Sequence, residues 1–333
     1  MIHLLFTGGT ISMERDPAAG GNVPRHDGET LVRLAPGLER IAPYRIENWA
    51  RVPACHLDQE RLWALRERVR ALVEAPEAAS DGGGAGGAGR DGALRGVVIT
   101  HGTDTIEETA YLLARTLDAR RPVAITGAMR TAGDPDWDGR RNLLDAARVA
   151  ASAEARGWGT VVVFAGRVFA GHQAAKVDTM RLDAFAAPHG APIGSVADGR
   201  VEFTAPRPSR GPKPLRPKSL RARVALVPVV VGDRGELLDL ARPGHDGLVL
   251  VAFGSGNIPP GAVPAVRRWL DEGKPVILAS RCCTGEVTPA YGFEGGGARL
   301  VAMGVRPAGP RTPSQARMEL ILALSAGADY GAG

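Results

Sequence analysis

At 333 residues the chain is longer than one ordinary hydrophobic core, so two domains are expected. A hydrophobic content of 44% with 23% charged residues suits a globular protein and excludes a disordered or fibrous one. Net charge is +5, from 41 basic and 36 acidic residues, and the basic residues form neither a basic helix nor an aromatic-interleaved stripe, so no nucleic-acid partner is expected.

The first element in chain order is a buried strand over 2–6 (IHLLF). It carries no positive leader and no small-residue cleavage site, so it reads as mature structure. A helix is predicted over 27–41, a strand over 45–52, a helix over 58–75 and a strand over 96–100 (GVVIT). Then come a helix over 105–120, a strand over 122–126, a helix over 140–156 and a strand over 160–165. The C-terminal part adds strands over 223–229, 247–253 and 275–279, with helices over 261–272 and 313–326. Alternating apolar strands and amphipathic segments indicate an α/β fold of two domains, each a mainly parallel sheet flanked by helices. Apolar residues at nearly every strand position indicate sheets covered on both faces.

Two low-complexity stretches punctuate this order. SDGGGAGGAGRDG (80–92) has no apolar anchor and reads as a mobile surface insertion. TAPRPSRGPKPLRPKSL (204–220) is rich in Pro and Arg and reads as a linker between domains at 1–203 and 221–333. No apolar run reaches transmembrane length, so no membrane partner is expected. The three cysteines, Cys55, Cys282 and Cys283, include an adjacent pair and suggest no disulfide framework or zinc site, which predicts a cytoplasmic protein with no metal.

Parallel sheets bind ligands at the carboxyl ends of their strands. Those ends offer Thr10 and Ser12 in TGGTIS, Gly102, Thr103 and Asp104 in THGTDT, Gly127 and Ala128 in GAMR, and Lys176 in GRVFAGHQAAKVDT. A threonine hydroxyl is a weak nucleophile that needs a base, a desolvated neutral lysine can take its proton, and Gly-rich turns expose N–H groups for an oxyanion. Together the set suits acyl transfer from an amide or ester. Taken singly, Thr103 and Asp104 could cap the helix that begins near Thr105, and Lys176 could be a solvated surface residue; the joint occurrence favours catalysis. TGGT lacks the Gly-Lys-Ser/Thr of a nucleotide loop. His101 reads as a structural hydrogen-bonding residue.

TGGTIS and THGTDTIEETAYLL resemble the two signatures of the bacterial-type L-asparaginases. The resemblance continues through ITGAMR, DGRRNLLDA, GSGN and YGFEGGG…SQARMELILAL. It implies a larger flavodoxin-like N-terminal domain and a smaller C-terminal one. It also implies hydrolysis of L-asparagine to L-aspartate and ammonia through an acyl-enzyme, without a cofactor, by a homodimer or homotetramer. Thr10 would be the first nucleophile, and Thr103, Asp104 and Lys176 the second group, with Lys176 as base or relay. Asp104 would also bind the substrate ammonium, the amides of Thr103 and Ala128 would form the oxyanion hole, and Asn257 would lie near the pocket.

The chain departs from the family pattern at one binding position. Relatives place a serine that holds the substrate carboxylate in a stretch resembling VPS-x-H-L-T-P-E. Here VPACHLDQE puts Ala54 at that place, or Cys55 with a shift of one. The plain alternative for Cys55 and His56 is a packed thiol and a capped histidine at a helix start. Residues 12–30 contain no tyrosine of the kind many relatives carry on a mobile loop, though their Gly, Pro and Asp content suits a lid. Glu286 and Tyr291 are the nearest matches to a glutamate that the partner subunit supplies in secreted relatives. Three functions follow: an asparaginase, the same chemistry on another small amide such as L-glutamine or D-asparagine, and a non-catalytic asparaginase-like binding protein.

Overall fold

A computed structural model of the protein describes residues 1–74, 93–206 and 214–331. The Gly-rich stretch predicted over 80–92 and the middle of the predicted linker lie outside them. The chain divides into two units, the first comprising Met1–Ala187 and Ala191–Pro214, the second Pro188–Gly190 and Leu215–Gly333.

The first unit contains strands β1 (Ile2–Gly8), β2 (Met13–Asp16), β3 (Gly21–Pro24), β4 (Tyr44–Val52), β5 (Gly96–Thr100), β6 (Val123–Thr126), β7 (Thr160–Phe164), β8 (Arg167–Ala170), β9 (Ala175–Lys176), β10 (Phe185–Ala186), β11 (Gly194–Ala197) and β12 (Arg200–Phe203). Its helices are α1 (Gly28–Leu34), α2 (Gln59–Val73), α3 (Ile106–Thr116) and α4 (Gly139–Ala151). Eight strands form one sheet in the order β12-β11-β8-β7-β6-β5-β1-β4. The run from β4 to β7 is parallel, whereas β8, β11 and β12 join antiparallel.

Alternation along each central strand builds two cores. Ile2, Leu4 and Phe6 of β1 and Val98 of β5 pack with α1 and α4 on one face. Leu5 of β1 with Val97 and Ile99 of β5 pack with α2 and α3 on the other. Side chains two residues apart share a face, so a fully apolar strand feeds both layers at once.

The predicted helix over 27–41 is broken. It ends at Leu34, Ala35 leaves the helical region ahead of Pro36, and Gly37 adopts φ 107° before a short 3-10 turn at Leu38–Arg40. Residues 13–24, read from sequence as part of a loop, pair as the β2–β3 hairpin.

The second unit has strands β13 (Val224–Pro228), β14 (Gly247–Ala252), β15 (Val276–Ser280) and β16 (Arg306–Pro307), with helices α5 (Glu236–Ala241), α6 (Val263–Asp271), α7 (Gly297–Ala302) and α8 (Pro313–Ala326). The four strands are parallel and neighbour one another in chain order. Its core gathers around the fully buried Trp269 of α6. Among the described residues no helix is long and apolar enough to cross a membrane.

Candidate active site

Four turns at the carboxyl ends of β1, β4, β5 and β6 meet through their backbones. Gly9, directly before Thr10, is the tightest point: φ is +84°, and a Cβ there would sit 2.3 Å from the Cα of Gly102. Only glycine satisfies both the left-handed backbone and that approach. A Cβ on Gly102 would in turn lie 2.7 Å from the Ala54 Cβ, and one on Gly127 would lie 2.5 Å from the His101 carbonyl oxygen. The turns that carry Thr10, Ala54, Thr103 and Ala128 are therefore stacked without intervening side chains.

Lys176 completes the group. It ends β9, which pairs antiparallel with β10, Phe185 standing opposite Lys176. Its Nζ donates to Thr103 Oγ1 at 3.0 Å and to Asp104 Oδ1 at 2.8 Å. Thr103 is buried, whereas the Asp104 side chain is 66% exposed. The carboxylate keeps acceptor capacity beyond its bond to Lys176 and faces solvent.

His101 fixes the peptide ahead of Thr103. It is fully buried, with Nδ1 2.8 Å from the Gly102 carbonyl oxygen and Nε2 3.0 Å from Thr109 Oγ1 on α3. Burial pushes its pKa down to about 4, only partly opposed by the Gly102 carbonyl, so the ring is neutral near pH 7. A carbonyl can only accept, so Nδ1 carries the proton and Nε2 accepts from the Thr109 hydroxyl. Pinning the Gly102 oxygen toward His101 turns the N–H of Thr103 the opposite way, because carbonyl and N–H of a trans peptide point apart.

The Gly127–Arg130 turn is held from α4. Asp138 accepts from the backbone N–H groups of Met129 and Arg130, its Oδ1 at 3.1 and 2.9 Å. Asn142, one helical turn on, donates to the Gly127 carbonyl at 3.0 Å and accepts from the Ala165 N–H at 3.1 Å. Both lie in or beside DGRRNLLDA. Their four-residue spacing, which puts them on one helix face, was the available signal for this supporting role.

Other predicted residues fall as follows. Ala54 is buried against the Gly102 turn, whereas Cys55 and His56 are exposed, so Cys55 is not a packed thiol. Asp58 caps α2 by accepting from the Arg61 N–H. Asn257 belongs to the second unit, where it bridges to Phe253 and its Oδ1 accepts from the Gly297 N–H at the start of α7. Glu286 and Tyr291 are exposed in that unit, the Tyr291 ring lying 5.5 Å from Phe293.

A lysine held between a threonine hydroxyl and a carboxylate, at the carboxyl edge of a parallel sheet, sets the chain among the α/β amidohydrolases. The N-terminal asparaginase family model matches residues 1–80 and 88–209, and the glutaminase/asparaginase C-terminal domain model matches residues 223–332. The chain belongs to the asparaginase family. It is 37% identical over 331 residues to a probable L-asparaginase of Deinococcus radiodurans, covering 98% of this chain and 94% of that one. It is 30% identical to one component of the glutamyl-tRNA(Gln) amidotransferase of Methanosarcina mazei, covering 86% of this chain and 65% of that one. A crystal structure of a probable cytoplasmic L-asparaginase from Campylobacter jejuni superposes with a TM-score of 0.81 at 26% identity, covering 97% and 94% of the two chains.

Proposed function

We propose that the protein hydrolyses L-asparagine to L-aspartate and ammonia through an acyl-enzyme on Thr10. The observation that carries this reading is the pair of hydrogen bonds from Lys176 to Thr103 and Asp104, formed beside the turn that presents Thr10. The Thr10 oxygen attacks the side-chain amide carbon, and the carbonyl electron pair moves to oxygen. The N–H groups of Thr103 and Ala128 stabilise that oxyanion. Its collapse breaks the C–N bond, and the leaving nitrogen takes the proton given up by the Thr10 hydroxyl and departs as ammonia. Water then attacks the ester carbon and breaks its bond to the Thr10 oxygen, with Thr103 and Lys176 passing the water proton to that oxygen to restore the Thr10 hydroxyl. Asp104 holds the substrate ammonium. The exposed free thiols of Cys55, Cys282 and Cys283 fit a reducing, cytoplasmic setting.

The absent hydroxyl at Ala54 favours a second reading, the same chemistry on another small amide such as L-glutamine or D-asparagine. One assay separates the two. Ammonia release is measured with L-asparagine, L-glutamine and D-asparagine over a wide concentration range, with Thr10→Val as control. L-Asparagine is expected to give the highest kcat/KM, and Thr10→Val to lose about three orders of magnitude or more while staying folded. A clear preference for another amide would install the second reading, and full activity in Thr10→Val would remove Thr10 as nucleophile.

A further inference from the structure

An open groove of about 910 Å³, within the range of small-molecule sites, runs along α4 in the first unit, lined from Arg140 in the first turn of the helix to Ser152 just past its end. Arg95, in its wall, directly precedes β5, whose other end feeds Thr103, so this part of the groove and the Thr103 turn lie at opposite ends of one strand. Four further arginines reach the same wall from distant segments: Arg40 after α1, Arg140 and Arg148 on α4, and Arg200 at the start of β12.

These charges are poorly compensated. Among the described residues Glu154 is the single carboxylate in the lining, and its Oε2 already accepts from the Ser152 hydroxyl at 2.6 Å. Arg148 donates to Asp145 at 2.8 Å. Arg40, Arg95, Arg140 and Arg200 have no ion-pair partner among the described residues. Holding like charges together opposes folding, and a bound anion would relieve that repulsion.

The arrangement is also directional. Arg140, Leu144 and Arg148 follow at four-residue spacing on one face of α4, so the two arginines stand about 12 Å apart along the helix. Ile41, Leu144 and Val201 give the same wall an apolar strip. Guanidinium forks match phosphate oxygens two at a time, and a row of them suits linked phosphates better than a single one. Among the described residues the lining has no aromatic side chain on which the bases of a nucleic-acid strand would stack.

We propose that this groove binds a nucleoside triphosphate, its phosphates on the arginines and its base against Ile41, Leu144 and Val201. The test is calorimetric titration of the full chain with ATP and, separately, with inorganic tripolyphosphate. It is run at about 0.15 M ionic strength, where screening within about 8 Å leaves only close contacts. Arg140→Glu/Arg200→Glu is compared with Arg33→Glu/Arg267→Glu, which changes net charge equally elsewhere on the surface. Saturable binding of one ATP per chain is expected, tighter than tripolyphosphate. It should weaken about tenfold or more in the groove variant and hold in the control. A far-UV circular dichroism spectrum matching the wild-type protein shows that the groove variant is folded. Equal affinity for the two ligands would overturn the nucleoside assignment. Lack of saturable binding, or equal weakening in both variants, would overturn the site.

Discussion

Ala54 presents a methyl group to the Gly102 turn at the place where relatives are expected to present a hydroxyl. A hydrogen bond to a charged carboxylate is worth about 1.5–3 kcal/mol, and 1.4 kcal/mol is a factor of ten in affinity. Ala54→Ser is therefore expected to lower KM for L-asparagine about tenfold with kcat little changed. An unchanged KM would show that the substrate carboxylate is held elsewhere. His101 makes a separate demand on pH. Its folded pKa, about 4, lies below its ordinary value of 6.5. Above pH 6.5 the buried neutral ring brings no penalty. Between 6.5 and about 4 the unfolded chain binds a proton that the folded chain refuses, so stability falls across that window by up to about 3 kcal/mol. Chemical denaturation from pH 7.5 to 4.5 should show this loss in the wild-type protein and a shallower one in His101→Gln. Identical slopes would mean that carboxylates, not His101, set the acid limit.

Elements differ in how far local sequence decides them. The strands β1, β5, β6 and β7 were legible because each is apolar at nearly every position, and β5 spans 96–100 as expected. Helix α8 runs over 313–326 as expected, opened by a capping box between Thr312 and Gln315 and closed by Gly327 in the left-handed region. The polar hairpin strands MERD and GNVP carry no alternating apolar signal, and only their pairing makes them strands. The two-residue strand Ala175–Lys176 is the instructive case for the site. Nothing local marks it as a strand; its position comes from Phe185 and Ala186 across the ladder. Lys176 could thus be named as a candidate from its motif, while the bonds that join it to Thr103 and Asp104 depend on contacts more than seventy residues apart. The same holds for the arginine groove, whose members are scattered in sequence and gathered only by the sheet.

At the scale of the whole molecule the two units carry separate cores. The clusters built on α1 to α4 draw only on residues of the first unit, and the cluster around Trp269 draws only on the second. Heating should therefore resolve two transitions, each answering to substitutions in its own core. Trp269 is the sharper probe. Its ring is fully buried, its Nε1 donates to the Leu238 carbonyl at 3.0 Å, and Lys274 Nζ lies 5.7 Å from the ring centroid. Trp269→Phe leaves that carbonyl without its donor and opens a small cavity, at a cost of about 1–3 kcal/mol. For a unit of this size each kcal/mol moves the midpoint by roughly 4 °C. Scanning calorimetry of the variant should show one transition lowered by about 4–12 °C while the other holds its temperature. A single transition, or two that move together, would mean that the units unfold as one cooperative body despite their separate cores.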